Sequence, residues 1–199
     1  VVGESPWLSQ ASRRELVRPQ PFGEVEHPFM ALGLRLSGTG ADTLAHHGGS
    51  WRASTARLLV WPEHRTSVMV LGHRHPVGPT ARAVAAVVRP VERPEPSGLQ
   101  TPEWIAGRYR ASGPRATPSA WFRLGREVRV SMQGSHLVAR SRWGVFRGGR
   151  TLYPNGAERF CYLDTGQPVD VAFRRSGEDA LLFVSAPIGV LTRGRQTRG

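Results

Sequence analysis

The chain has 199 residues and a formal net charge of +12, and all 27 of its lysine-or-arginine positions are arginine. An apolar content of 39% is typical of a folded globular protein rather than a disordered one. No apolar run approaches the ~20 residues that span a bilayer, and the single Cys161 excludes an intrachain disulfide and a multi-cysteine zinc site.

The first ninety residues carry helix and strand patterns that predict one side of a mixed domain. A short helix is expected after the N-cap candidate Ser9, and a second helix after Pro79, where alanines and valines form one apolar face. Apolar runs between them predict strands at 29–36, 43–47, 55–61 and 66–72, the last two forming a hairpin around Pro62–Arg65. These elements lack enough partners to close a core by themselves.

A proline-rich stretch at 91–101 follows, which predicts an extended linker because proline removes backbone donors and forbids helix. Beyond it, short strand-like runs recur every 8–12 residues or so, separated by turn residues such as Asn155-Gly156. This spacing is typical of an all-β sandwich or barrel. The expected runs are 107–111, 121–124, 127–132, 136–141, 144–147, 159–163, 169–174, 180–185 and 189–192.

An ordered set of motifs resembles the C-terminal part of the serine β-lactamase-like hydrolases, which include class C β-lactamases, D-aminopeptidases and related esterases. The set comprises Ala31–Leu36, then Ala45–Trp51 with its His47-Gly48-Gly49, then Ala56–His64 and Thr66–Leu71. The run Glu103–Arg110 resembles the opening strand of the lipocalin-like barrels appended to D-aminopeptidase-like proteins. The resemblance implies an α+β fold: residues 1–90 form a partial antiparallel sheet with flanking helices of a β-lactamase/transpeptidase-like domain, and 102–199 form a small antiparallel all-β barrel.

The resemblance also implies roles for five residues. His47 is the polar residue of the third family motif, Gly48 and Gly49 leave room for the substrate backbone, and the Ser50 N–H donates to the oxyanion. Trp51 is a candidate wall of the substrate cleft, with packing between sheet and helix as the equal alternative. The expected substrate is a small molecule or peptide with an amide, ester or lactam bond, and no cofactor or metal is implied.

The family's other catalytic motifs are missing from this chain. Without lysine there is no Ser-x-x-Lys, and no tyrosine precedes Tyr109. Tyr153-Pro154-Asn155 matches the tyrosine motif as text but lies in the barrel segment. Because the chain opens Val1-Val2 without methionine, we expect it to be a fragment that is inactive alone. The missing N-terminal part of the same polypeptide is expected to carry the nucleophile and the general base.

The main alternative is a basic β-barrel that binds nucleic acid or a small ligand. Arginines interleave with aromatics in 121–129 and 140–150, as they do in single-strand binders. Alternation, with aromatics inside and arginines outside, explains both runs more simply. His73 and His75 have a metal-compatible spacing, but without a third ligand nearby a solvated strand end is the better interpretation. The sequence does not indicate a compartment.

Overall fold

The computed structural model describes residues 7–73, 77–88, 101–110, 126–156, 158–164, 167–185 and 188–193. The chain divides into two compact units. The first contains residues 1–20 and 27–92, and the second contains residues 21–26 and 93–199. Most of the expected linker, 91–100, lies outside the described residues, so its structure stays a prediction.

The first unit is built on a four-stranded antiparallel sheet in the order β3-β4-β5-β6. Its strands are β3 (Arg35–Ser37), β4 (Leu44–Trp51), β5 (Ser54–Trp61) and β6 (Thr66–His73). A two-residue turn joins β4 to β5, because Trp51 pairs directly with Ser54. Within that turn Arg52 has a φ of 51°, a left-handed conformation that suits tight hairpins.

Two helices accompany this sheet. Helix α1 (Gln10–Leu16) begins as expected at Ser9, whose side chain accepts a hydrogen bond from the Ser12 N–H at 3.1 Å. Helix α2 (Gly78–Val88) packs on one face of the sheet, where Ala81 joins buried Leu59 and Trp61. A second small cluster of Ala31, Leu36 and Ala45 lies at the same end of β4 but on the opposite face of the sheet.

In the second unit the described strands form a closed antiparallel barrel in the order β10-β11-β12-β13-β14-β7-β8-β9. The barrel strands are β7 (Gly107–Arg110), β8 (Glu127–Gln133), β9 (His136–Ser141), β10 (Arg150–Pro154), β11 (Arg159–Asp164), β12 (Gln167–Ser176), β13 (Asp179–Ser185) and β14 (Ile188–Arg193). Closure pairs every strand on both sides and removes unpaired edges. A small hairpin of β1 (Gln20–Phe22) and β2 (Val25–His27) supplies Phe22, whose ring packs edge-on against Phe183 at 5.6 Å.

Large side chains fill the barrel interior. Phe173 lies at its centre, 5.6 Å from the ring of Tyr109 and 5.6 Å from the ring of Phe160. The Tyr109 hydroxyl donates to the Ile105 carbonyl at 2.7 Å, which satisfies its polar end. The rings of Phe146 and Tyr162 contact each other in a tilted arrangement, with centroids 5.4 Å apart, in the same cluster. The described interior is therefore a packed core, as small eight-stranded barrels permit.

The fold matches the expectation of antiparallel sheet followed by a barrel, although with two α-helices among the described residues it is mostly β and only loosely α+β. The strand expected at 29–36 is wrong in its first part. Gly33 has a φ of 73°, and the Ala31 N–H donates to the Leu34 carbonyl at 2.8 Å, so the chain turns there and the strand starts at Arg35.

Three further differences concern short elements. The expected strand at 144–147 is a 3₁₀ turn (Gly144–Phe146), because Gly144 has a φ of 77°. Strand β10 and the hairpin of β1 and β2 have no counterpart among the strands predicted from the sequence. The expected strand at 121–124 lies outside the described residues.

Candidate functional site

The five residues singled out in the sequence lie together along the second half of β4. His47, Gly48, Gly49, Ser50 and Trp51 are consecutive strand residues, and all five are exposed. Strand β3 pairs only with the first three residues of β4, Leu44 to His46. Within the described residues, the stretch His47–Trp51 (hereafter the open edge) therefore has a strand partner on the β5 side alone.

Alternation along β4 divides the five residues between the two faces of the sheet. His47, Gly49 and Trp51 lie on one face, and Gly48 and Ser50 lie on the face that α2 covers farther along. Their cross-strand neighbours follow the same rule: His47 is opposite Leu58, and Gly49 is opposite Ala56. His47 and Ser50 consequently cannot point their side chains into one cleft. Because backbone N–H groups alternate between the two sides of an antiparallel strand, the backbone groups of these two residues do not face the same edge either.

An open groove of about 740 Å³ lies at the hairpin end of the sheet. Its volume is within the range typical of small-molecule sites, roughly 300–1,000 Å³. The groove contains three of the five residues, but neither His47 nor Gly48. It is lined by Gly49, Ser50, Trp51, Ser54, Thr55, Ala56, Leu71, Gly72 and His73.

The two glycines differ in the space beside them. A Cβ built on Gly49 would meet nothing within 4 Å, so this position is open for a ligand backbone. A Cβ on Gly48 would lie 3.0 Å from Nη1 of Arg57, because the Arg57 side chain crosses the strand there. Space for a substrate backbone, which was expected at both glycines, is therefore present at Gly49. At Gly48 the side chain of Arg57 occupies that space.

Arg57 crosses Gly48 to reach His46. Its Nη2 donates a hydrogen bond to Nδ1 of His46 at 3.0 Å. His46 is 9% exposed, and burial, aided by the charges of Arg57 and Arg35, lowers its pKa to about 4. The ring is therefore neutral at pH 7, with its proton on Nε2, and His46 is a buried structural residue next to the candidate site.

Arg57, which was not among the residues predicted for the site, shapes it from the neighbouring strand. Its position follows from the hairpin register: a two-residue turn at Arg52-Ala53 pairs Gly48 with Arg57. Recognising that turn in Trp51-Arg52-Ala53-Ser54 would have supplied the signal. Leu71, Gly72 and His73 of β6 enter the groove through the same register.

Exposed apolar side chains cover the face of the sheet that carries His47 and Gly49. Trp51 is 75% exposed, Met69 65% and Leu71 71%. Met69 pairs with Leu58, and Leu71 pairs with Ala56, so these β6 side chains share the face of His47 and Gly49 and lie across β5 from the open edge. The Arg52 guanidinium lies 5.8 Å from the centre of the Trp51 ring. Trp51 thus borders the groove and does not pack between sheet and helix.

The structure also bears on the remaining candidates, which are Cys161, the histidine pair and the arginine-aromatic runs. Burial raises the pKa of the Cys161 thiol to about 11, which agrees with a small buried core residue and not a nucleophile. No group of three metal-ligating side chains occurs among the described residues, and His75 lies outside them. In the arginine-aromatic run at 140–150, Phe146 is buried in the barrel and Trp143 is 59% exposed, so alternation holds for one aromatic and fails for the other.

No protein-family model matches the chain, and no curated protein matches it. Among solved structures, the chain is similar to SurE with D-Leu (16% identity, TM-score 0.47) and to SurE alone (16%, 0.48). It is also similar to an octameric penicillin-binding protein homologue from Pyrococcus abyssi (17%, TM-score 0.35). Each likeness covers 94% of this chain, which spans 44%, 43% and 42% of those chains respectively. No helix among the described residues is long and apolar enough to cross a membrane.

Proposed function

We propose that this chain is the C-terminal part of a serine hydrolase of the β-lactamase-like superfamily, and that its open edge forms one wall of the acyl-transfer site. The observation that carries the proposal is the combination of two features: the open edge, which has no second strand partner among the described residues, and the open space at Gly49. A substrate carbonyl that reacts with a serine must lie beside backbone N–H donors, and an edge strand presents such donors in a fixed geometry.

The proposed reaction proceeds through an acyl-enzyme. The serine hydroxyl attacks the carbonyl of an amide, ester or lactam, the base takes its proton, and the tetrahedral oxyanion accepts hydrogen bonds from the Ser50 N–H and the nucleophile's own N–H. The leaving group departs with a proton, and water then hydrolyses the ester. The nucleophile and base belong to sequence preceding Val1, since this chain has no Ser-x-x-Lys.

Three residues would surround the substrate. Gly49 gives the substrate backbone room, Trp51 provides an apolar wall, and His47 stands on the same face as Gly49. The second unit is proposed to be a lipocalin-like barrel in overall type. Its packed interior argues that the barrel serves the hydrolase without enclosing a ligand of its own.

The test is acylation of the polypeptide extended by the sequence encoded upstream of Val1, using a fluorescent β-lactam and an activated ester. Gly49→Val should slow acylation at least about tenfold, because the valine side chain occupies the space proposed for the substrate backbone and displaces the carbonyl from its oxyanion contacts, each typically worth ~10²–10³ in turnover. His47→Ala should also slow it. Ala86→Val, which places the same valine side chain at an exposed position of α2, is the control and should leave the rate unchanged. Equal acylation rates in Gly49→Val, His47→Ala and the control would refute the site assignment.

A further inference from the structure

A row of three arginines crosses the outer surface of the barrel. Arg108 of β7 pairs directly with Arg129 of β8, and Arg129 pairs directly with Arg140 of β9. All three are exposed, and their strand neighbours Tyr109 and Val128 point into the core. Side chains at directly opposite positions have Cβ atoms about 4.5–5.5 Å apart, so three positive charges are held close together.

Unlike the three arginines of the row, a neighbouring arginine forms an ion pair with a carboxylate. Arg110, also on β7, donates to Glu127 at 2.9 Å, which neutralises it. In the part of the chain that the structure describes, no carboxylate lies within ion-pair distance of Arg108, Arg129 or Arg140. Like charges directly opposite one another destabilise a sheet, so an anion bound between them would relieve that repulsion.

A small groove provides further hydrogen-bond donors at this row. It has a volume of about 270 Å³ and is lined by Arg129, Ser131, Gln133 and Arg140. The Arg140 guanidinium lies over Gly149, where a Cβ would be only 3.2 Å from its Nε. Two arginine side chains, a serine and a glutamine therefore line one groove.

We propose that this groove binds the phosphoryl group of a small phosphorylated molecule. The guanidinium fork matches the oxygens of phosphate in a bidentate way, and hydroxyl and amide donors complete the shell. The volume is below the range of drug-sized ligands, which favours a phosphoryl group with a small substituent. The site is on the barrel and is independent of the acyl-transfer proposal.

The experiment is a titration of the full chain with pyrophosphate, in which two-dimensional NMR monitors the amide chemical shifts. The expected result is saturable shifts at Ser131 and Gln133, which would map the groove directly. Arg129→Gln with Arg140→Gln should weaken the affinity at least about tenfold, because each charged hydrogen bond contributes appreciably to binding. The control pair, Arg110→Gln with Arg142→Gln, removes the same charge from the same barrel and should weaken it less than about twofold.

Three outcomes would overturn the proposal. The first is the absence of saturable shifts in the unmodified chain, a result that does not depend on whether any variant folds. The second is equal weakening by the two variant pairs, which would indicate only a general positive field. The third is binding of a single-stranded oligonucleotide at this row without binding of pyrophosphate, which would make the surface a nucleic-acid contact.

Discussion

The barrel and the four-stranded sheet use the same antiparallel pairing but complete it differently. In the barrel every strand has two partners, and its interior is filled by side chains such as Phe173 and Leu182 that are fully buried. The sheet has α2 on one face, while the other face carries exposed Trp51 at the open edge and exposed Met69 and Leu71 on β6, two strands away. The barrel therefore pairs all of its strands and fills its interior, whereas among the described residues the sheet leaves part of the β4 edge and one apolar face uncovered.

Core truncation should reveal the largest difference between the two regions. Phe173→Ala removes a ring that contacts Tyr109 and Phe160, so we expect it to lower the free energy of unfolding of the barrel by about 3–5 kcal/mol. Met69→Ala, at an exposed sheet position, should change stability by no more than about 0.5 kcal/mol. Urea denaturation measures both changes in stability when it is monitored by NMR, with signals of β13 reporting on the barrel and signals of β5 reporting on the sheet. Similar losses in the two variants would mean that the exposed sheet face is packed in solution.

Acid should destabilise the sheet more than the barrel. The pKa of His46 is about 4 in the fold against an ordinary value of 6.5, so between these values the unfolded chain binds more protons. The stabilising contribution is complete above pH 6.5 and is lost as the pH falls to about 4, by up to about 3 kcal/mol. Buried His27, with a pKa also of about 4, adds to the effect. His136, the histidine of the described barrel, is exposed.

The pH dependence is measured as urea midpoints between pH 7 and pH 4, read separately from β5 and β13 signals. His46→Gln should reduce the pH slope of the sheet and leave that of the barrel unchanged. A barrel that loses stability as steeply as the sheet over this range would contradict the assignment of the slope to these histidines.

A smaller effect should follow from Arg57→Gln, which removes the positive charge next to His46. Burial remains the main cause of the low pKa, but the charge of Arg57 contributes, so the pKa of His46 should rise part of the way towards 6.5. An NMR titration of the imidazole protons measures it. Arg52→Gln, on the exposed hairpin turn, is the control and should leave that pKa unchanged. An unchanged pKa in Arg57→Gln would show that the two side chains are not in contact.

The sequence predicted elements whose signals are local. The N-cap at Ser9, the hairpin of β5 and β6 and most barrel strands follow from capping residues, alternation and turns. The errors occurred where one glycine decides the path: Gly33 turns the chain inside an apolar run, and Gly144 starts a 3₁₀ turn. An apolar run cannot indicate that a positive φ interrupts it, since glycine is equally compatible with a strand.

The candidate site was predictable as a stretch of β4 but not as an arrangement. The resemblance selected His47–Trp51, while the crossing of Gly48 by Arg57 depends on the register between two strands. Likewise, the arginine row depends on pairing Arg108 with Arg129 and Arg140, which are far apart in the chain. Composition shows the excess of arginine and cannot show which arginines meet.

The most direct test of the central claim, that the open edge serves an acyl-transfer site, is the nucleotide sequence upstream of Val1, read in frame. We predict that it encodes Ser-x-x-Lys followed by a tyrosine motif, which would supply the nucleophile and base for the edge at Gly49. A stop codon, or a start codon immediately before Val1, would contradict the claim, because the chain would then function without a nucleophile.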